Sequence, residues 1–553
     1  CCLVSGRPGS DQVTHVNMDM QPDMKGQKFN TDDLLDIIGQ FGKFQKTIVA
    51  LLGLPIMMFA VQIFGWVFLG PILDHRCWLP YDDATADVAF DLPEDIREKF
   101  IPRNNKTGVW SQCSYYGDNN TLLTCSKYVY DHSILQSSVL ETWDLVCDRE
   151  WLGTTSISLF MAGLLVGSYI FGEISDRFGR KTSLFLGLLV QAVFGLMAAF
   201  SNQLTLFIVC RFICGLAEPP LFAANYCLGF ELVGRSKRVV IGVVNMLFFS
   251  IGYILLTLLA YFVRNWRDLL VVFSGVNIAL LSLWWIIPES PKWLISMGKI
   301  KEANKIFDQI SKYNKKTLPA DWLNIMTCNV QTSSSVTGAN SENLNNQEER
   351  GNLLTLLRLS QLRWRTLNVC FIWFVCSAVY YGLSLNTSNI GGNPYLNAFI
   401  SAAVEIPSNF LGYFVLDKIG RKPPTMMSFL LAGLSLLVAV AIRSDLTWAM
   451  VTLTSLGKFS ISMTYTAIYL YTAEMYPTPV RNMAMGLGCV FSRIGDVLSP
   501  FINLLGTIWS PFPYIIFGLL SCSAGILSFW FPETRGTQLP ETINDAVNLG
   551  IAR

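Results

Sequence analysis

The sequence predicts an all-α integral membrane protein of twelve transmembrane helices, arranged as two pseudo-symmetric six-helix halves, on three observations. Of 553 residues, 52% are hydrophobic and only 15% charged, where a soluble chain carries about 25% charged residues. The charge-free runs 47–70, 269–288, 367–388, 424–442 and 511–531 each supply the roughly 20 residues that cross about 30 Å of hydrocarbon as a helix. Backbone groups in hydrocarbon must be satisfied within the segment, which forces helices. The third observation is duplication. Asp176-Arg177-Phe178-Gly179-Arg180-Lys181 returns 241 residues later as Asp417-Lys418-Ile419-Gly420-Arg421-Lys422. Glu231, seven residues before Arg238, returns 243 residues later as Glu474, seven before Arg481. Pro288-Glu289-Ser290 returns 244 residues later as Pro532-Glu533-Thr534. Three motifs repeating in order at nearly one spacing mean two homologous halves, which predicts a shared site between them.

Residues 1–46 are polar and lack a signal-peptide core; they are expected to form a cytoplasmic segment. The first residue is Cys1 rather than Met, which reads as a fragment or processed start. Within this segment, Thr31-Asp32-Asp33-Leu34-Leu35-Asp36-Ile37-Ile38 reads as an N-capped amphipathic turn at the cytoplasmic face. The first half is expected over 47–288, with spans at 47–70, 151–171, 182–201, 204–231, 239–262 and 267–288. Its insert 71–150 has a net charge of −7, four cysteines (Cys77, Cys113, Cys125, Cys147) and two sequons at Asn105 and Asn119. That combination predicts disulfides and glycosylation on an extracellular loop, with the pairing left open.

A second insert, 289–366, carries a net charge of +4 and a Ser/Thr/Asn-rich stretch at 331–346, and is expected to be a cytoplasmic loop. The second half follows over 367–531, with spans at 367–388, 395–416, 424–442, 446–474, 482–506 and 511–531, and 532–553 forms a cytoplasmic tail. The short loops bearing Arg177, Arg180, Lys181, Arg235, Lys237, Arg238, Arg421, Lys422 and Arg481 fall on the same side as the second insert. By the positive-inside rule this places both termini in the cytosol.

A net charge of +1 without a basic block gives no reason to expect nucleic acid. The three histidines, His15, His75 and His132, lie outside the spans, and no His-Glu-x-x-His motif occurs. No enzyme, cofactor or metal site is expected; proton coupling would have to use a carboxylate.

The Gly172–Lys181 turn and its copy suit a tight reversal in which Asp176 caps a helix and the basic residues anchor to headgroups. The copy carries one more residue between Gly412 and Asp417. Glu231, Arg238, Glu289, Glu474, Arg481 and Glu533 sit at the cytoplasmic ends of spans. There they are expected to form an inner latch, pairing across the halves in one state and separating in the other. Charges deep in spans usually face a cavity or a partner: Arg211, Glu218, Glu405, Lys458, Arg493 and Asp496. The spacings of Arg211–Glu218 and Arg493–Asp496 put each pair on one helix face. Phe222 with Tyr226, and Trp373 with Tyr380, likewise share faces where π-surfaces hold a cation or pack as core.

Several segments carry a specific resemblance: Glu141-Thr142-Trp143-Asp144-Leu145-Val146-Cys147-Asp148, Pro288-Glu289-Ser290-Pro291-Lys292-Trp293-Leu294, Val404-Glu405-Ile406-Pro407, and Tyr471-Thr472-Ala473-Glu474-Met475-Tyr476-Pro477-Thr478. With the duplicated turn, they resemble the organic cation, organic anion and carnitine transporter family of the major facilitator superfamily. The likeness runs from about Phe29 to Thr537, and Tyr380-Tyr381-Gly382-Leu383-Ser384-Leu385-Asn386 is similar to invertebrate members. It implies alternating-access uptake or exchange of small organic ions at the plasma membrane, with the lipid bilayer as a partner; a coupling ion, sodium or proton, and purely facilitative transport are both left open. It also implies a cavity lined by Phe222, Tyr226, Trp373, Tyr380, Glu405, Lys458, Arg493 and Glu218. Gating is expected from Asp176, Arg177, Arg180, Glu231, Arg238, Glu289, Asp417, Arg421, Glu474, Arg481 and Glu533. Cation-selective members typically carry Asp where this chain has Arg493; anion-selective members usually have Arg there, as here, but also Lys where it has Asn409, and carnitine-type members share the Arg. Cations or carnitine-like zwitterions therefore rank above anions. The sugar-porter-like ending Pro532-Glu533-Thr534-Arg535-Gly536 marks the remaining rival.

Overall fold

The computed structural model describes residues 31–84, 88–103, 110–117, 120–318, 358–442, 446–537, 540 and 543–548. The sequons at Asn105 and Asn119 lie outside them. In chain order the helices are α1 (Thr31–Ile38), α2 (Lys43–Phe64), α3 (Trp66–Leu69), α4 (Glu94–Phe100), α5 (Val139–Thr142), α6 (Glu150–Phe178), α7 (Arg180–Ala199), α8 (Leu204–Leu216), α9 (Pro219–Leu232) and α10 (Arg238–Phe262). They continue with α11 (Trp266–Leu281), α12 (Pro291–Ser296), α13 (Ile300–Asn314), α14 (Ser360–Leu385), α15 (Pro394–Lys418), α16 (Lys422–Val440), α17 (Thr447–Met475), α18 (Thr478–Leu504), α19 (Phe512–Ser528) and α20 (Ile543–Asn548).

Among the described residues, ten helical spans are long and apolar enough to cross a membrane, and Phe512–Ser528 is a shorter apolar helix. α17 is 29 residues long yet is not among the ten, because Lys458, three tyrosines and a run of Ser and Thr dilute its apolar content. The expected fourth span, 204–231, is two helices rather than one. α8 ends at Leu216 and α9 opens at Pro219-Pro220, because two prolines remove the backbone donors an unbroken helix would need.

The duplication reappears in the packing. In the first half α2 packs on α10, α6 on α8 and α7 on α11; in the second, α14 packs on α18, α15 on α17 and α16 on α19. The three pairings of one set match those of the other in chain order. The halves meet through α10 against α15 and α6 against α18.

The 71–150 insert is tied down by two short antiparallel ladders, β1 (His75–Cys77) with β4 (Tyr128–Tyr130) and β2 (Ser114–Tyr116) with β3 (Leu122–Thr124). Disulfides join Cys77 to Cys125 and Cys113 to Cys147. A buried Arg76–Asp82 ion pair at 2.7 Å adds to these. Ser138 donates to the Pro71 carbonyl at 2.8 Å and Trp266 donates to Thr142 at 2.9 Å, which seats the insert on the helix ends.

At the opposite end α1 is more than a surface turn. Leu34, Leu35 and Ile38 are buried against Trp293, Ile306, Phe307 and Ile310 of α12 and α13. The buried Asp32 lies 2.5 Å from Arg238, 2.7 Å from Arg235 and 2.5 Å from Lys292. Burial works against the Asp32 carboxylate, but these cations outweigh it and hold it below its ordinary value.

Candidate functional site

Two buried charge groups and a wall of tyrosines form the centre of the second half. Lys458 of α17 sits 2.9 Å from Glu405 of α15, with both side chains almost fully buried. Tyr380 of α14 donates its hydroxyl to Glu405 at 2.7 Å, and its ring lies under the Lys458 ammonium, 3.2 Å from the centroid. Lys458 also bonds Ser384. A buried ion pair holds only when its remaining donors and acceptors are met, and Tyr380 and Ser384 meet them here.

The second group is on α18. Arg493 donates to Asp496 at 2.8 Å, and Asp496, fully buried, is backed by the Ser377 hydroxyl. The Arg493 side chain remains 22% exposed. Between the two groups run Tyr380, Tyr465 and Tyr469, with successive centroids 5.3 and 6.0 Å apart, and Trp373 stands edge-on to Tyr469 at 4.5 Å. The Trp373 indole donates to Thr472 at 3.1 Å, so it braces the wall from within the core. In the first half, Phe59, Phe222 and Tyr226 stack in sequence at 5.2 and 6.0 Å.

The structure thus groups Tyr380, Glu405 and Lys458, lays Trp373 and Arg493 along the same wall, and pairs Phe222 with Tyr226. Glu218 forms no hydrogen bond or ion pair with them, though Arg493 and Arg211 lie near enough to act on its carboxylate electrostatically. It is fully buried at the α8–α9 break, and neither carboxylate oxygen has a hydrogen-bond partner among the described residues. Arg211, its expected partner, instead donates to Gln62 at 3.2 Å and lies over the Phe160 ring at 4.3 Å. The two groups act on each other electrostatically, but no hydrogen bond or ion pair joins them. Sequence reasoning missed Tyr465 and Tyr469, although their four-residue spacing on α17 was a usable signal, and it missed Phe59 and Phe64, the latter's ring 5.6 Å from the Lys458 ammonium, because an all-apolar span conceals them.

The duplicated motifs form the same device twice. Gly179 (φ +106°) and Gly420 (φ +125°) take a left-handed turn that a side chain would strain. A Cβ on Gly179 would also fall against the Glu289 carboxylate. Glu289 accepts from the backbone N–H groups of Arg180 and Lys181 at 3.1 and 3.2 Å; Glu533 accepts from those of Arg421 and Lys422 at 3.0 and 3.1 Å. A carboxylate thus faces each helix N-terminus. The expected cap, Asp176, is exposed and pairs with Arg180 at 3.0 Å instead.

Arg180 lies 3.6 Å from Glu231, and Arg421 lies 2.9 Å from Glu474. The expected pairs between halves are therefore not the ones present in this conformation; each pair closes inside its own half. Arg238 is taken by Asp32, and Arg481 donates to the Tyr476 and Pro540 carbonyls at 3.1 and 3.5 Å. Arg177 pairs on the surface with Glu173 at 3.2 Å, and exposed Asp417 has no ion-pair partner among the described residues.

The halves bond instead from mid-span, at Glu405, towards the 71–150 insert. Tyr253 donates to the Ser384 carbonyl at 3.3 Å, Ser250 to Glu405 at 3.4 Å, and Phe68 stacks on Tyr395 at 5.5 Å.

With this geometry in view, the chain matches the family "Sugar (and other) transporter" over residues 108–545. It is 38% identical over 533 residues to the organic cation transporter protein of Drosophila melanogaster, covering 94% of this chain and 95% of that one. The chain belongs to the organic cation and carnitine transporter family of the major facilitator superfamily. It is 33% identical over 536 residues to organic cation/carnitine transporter 2 of Homo sapiens, covering 94% of each. Among solved structures it resembles the E. coli xylose transporter XylE in a partially occluded inward open conformation, with a TM-score of 0.59, 91% of this chain and 100% of that one covered, and 16% identity. At that identity the likeness shows the fold alone. This family member is a membrane transporter, not an enzyme.

Proposed function

We propose that this transporter moves small organic cations or carnitine-like zwitterions across the plasma membrane by alternating access, with both termini cytosolic and the 71–150 insert extracellular. The observation that carries the substrate reading is the state of the charges along the tyrosine wall. Glu405 is already neutralised by Lys458 and hydrogen-bonded by Tyr380. That leaves an incoming ammonium to the faces of Tyr465, Tyr469, Phe222 and Tyr226, where cation–π attraction is worth roughly 0.5–2 kcal/mol per contact. Arg493 gives one nitrogen to a buried Asp496 and keeps an exposed edge, the complement of a substrate carboxylate. A pure anion is less well served, because Lys458 is already committed to Glu405. The names of the relatives support the same class.

Radiotracer uptake of tetraethylammonium, carnitine and an aromatic anion, each with and without sodium, tests the reading and exposes any ion coupling. Arg493→Gln should reduce carnitine uptake about tenfold or more, the loss of one charge-assisted contact, while reducing tetraethylammonium uptake far less. Equal losses would count against direct contact, and competition by glucose would favour the sugar-porter alternative.

A further inference from the structure

A cavity of about 260 Å³ opens between the halves on the insert side, separate from the tyrosine wall. Trp66 at the end of the first crossing, Glu150 and Thr154 at the start of α6, Asn386 after α14, Asn503 near the end of α18 and Tyr514 on α19 line it. Below it the halves are closed by Tyr253 bonded to Ser384 and by Phe64 packed 6.0 Å from Tyr381. A solute here would lie outside that closure.

The walls share one chemistry. Glu150 is half-buried, and no ion pair or hydrogen bond reaches its carboxylate among the described residues. The Asn503 amide nitrogen is committed to the Gly382 carbonyl at 2.9 Å, which fixes the amide and leaves its buried oxygen without a donor. Trp66 and Tyr514 contribute rings, and none of the lining residues is basic. Acceptors without donors, beside π-faces and without a competing cation, are what an organic ammonium needs.

We propose that this cavity is an outer vestibule site that holds an organic cation before it reaches the central wall, with Glu150 as its counter-charge. This rests on the transport reading above for its direction but not for its binding. The first-turn N–H groups of α6 also attract a carboxylate, so the test must read ligand occupancy rather than helix stability alone.

Two measurements do so. In vesicles of the full-length protein, an impermeant thiol reagent applied outside should label Thr154→Cys more slowly when tetraethylammonium is present. Adding Glu150→Gln should abolish that protection. In uptake assays matched for surface level, Glu150→Gln should raise the KM for external tetraethylammonium about tenfold with maximal velocity within about twofold, the loss of one charge contact. Glu150→Asp should stay near the parent KM. Protection that persists in Glu150→Gln, or an unchanged KM, would overturn the vestibule site. Absence of tetraethylammonium uptake by the unaltered chain would sink the substrate reading instead, while the protection assay still decides whether the cavity binds the cation.

Discussion

Lys458 and Glu405 form a buried pair whose desolvation is offset by each other and by bonds with Tyr380, Ser384 and Ser250. Removing one partner strands the other, a change that costs about 3–5 kcal/mol in comparable pairs. Lys458→Ala should therefore lower the thermal midpoint of purified protein markedly. The double variant Lys458→Met with Glu405→Gln should recover most of the loss, because no lone charge remains. An undiminished midpoint in Lys458→Ala would mean that the pair contributes no structural support. Both residues stand out in sequence as charges inside spans, but their pairing does not, because 53 positions and different helices separate them. Arg493 and Asp496 were readable as a pair for the opposite reason: three residues apart on one helix, they share a face by geometry alone.

At the next scale, α1 shows how an element's role depends on distant partners. Its amphipathic pattern and capped start are plain in the sequence, yet the basic groups that gather on Asp32 come from the loop before α10, the first residue of α10 and the start of α12. Because Asp32 titrates below its ordinary 3.8, its contribution is fully present above pH 3.8 and fades as pH falls through the lower folded value. At neutral pH, Asp32→Asn should remove that contribution. Hydrogen exchange over residues 31–38 should then accelerate while α6 stays protected, and unchanged protection at 31–38 would contradict the clamp. The paired turns were legible as repeats, though not as devices: the capping carboxylates, Glu289 and Glu533, enter from more than a hundred residues away. The α8–α9 break was missed although Pro219-Pro220 announced it. The span is long and apolar on both sides, and hydropathy does not register a lost backbone donor.

For the molecule as a whole, repetition carried the architecture. Three motifs repeated at nearly one spacing predict two halves, and the same three helix pairings recur in each. What repetition cannot give is the state of the gate, because identical motifs fit either conformation. Here the halves touch from mid-span to the insert side through Ser250, Tyr253 and Phe68, while the motif-side charges pair within their own halves. Charge reversal at Glu474 should weaken the Arg421 anchor and change turnover with little change in surface level; unaltered turnover would exclude the anchor from gating.

The most direct test of two halves rocking about a shared centre is a pair of distances measured by electron resonance in liposomes. One pair of spin labels replaces exposed Arg177 and Asp417 on the motif side, and the other replaces exposed Trp151 and Ile508 on the insert side. Adding a transported ion should shift weight toward shorter distances in the first pair and longer ones in the second. Distances that stay fixed, or that change together in the same direction, would contradict the account.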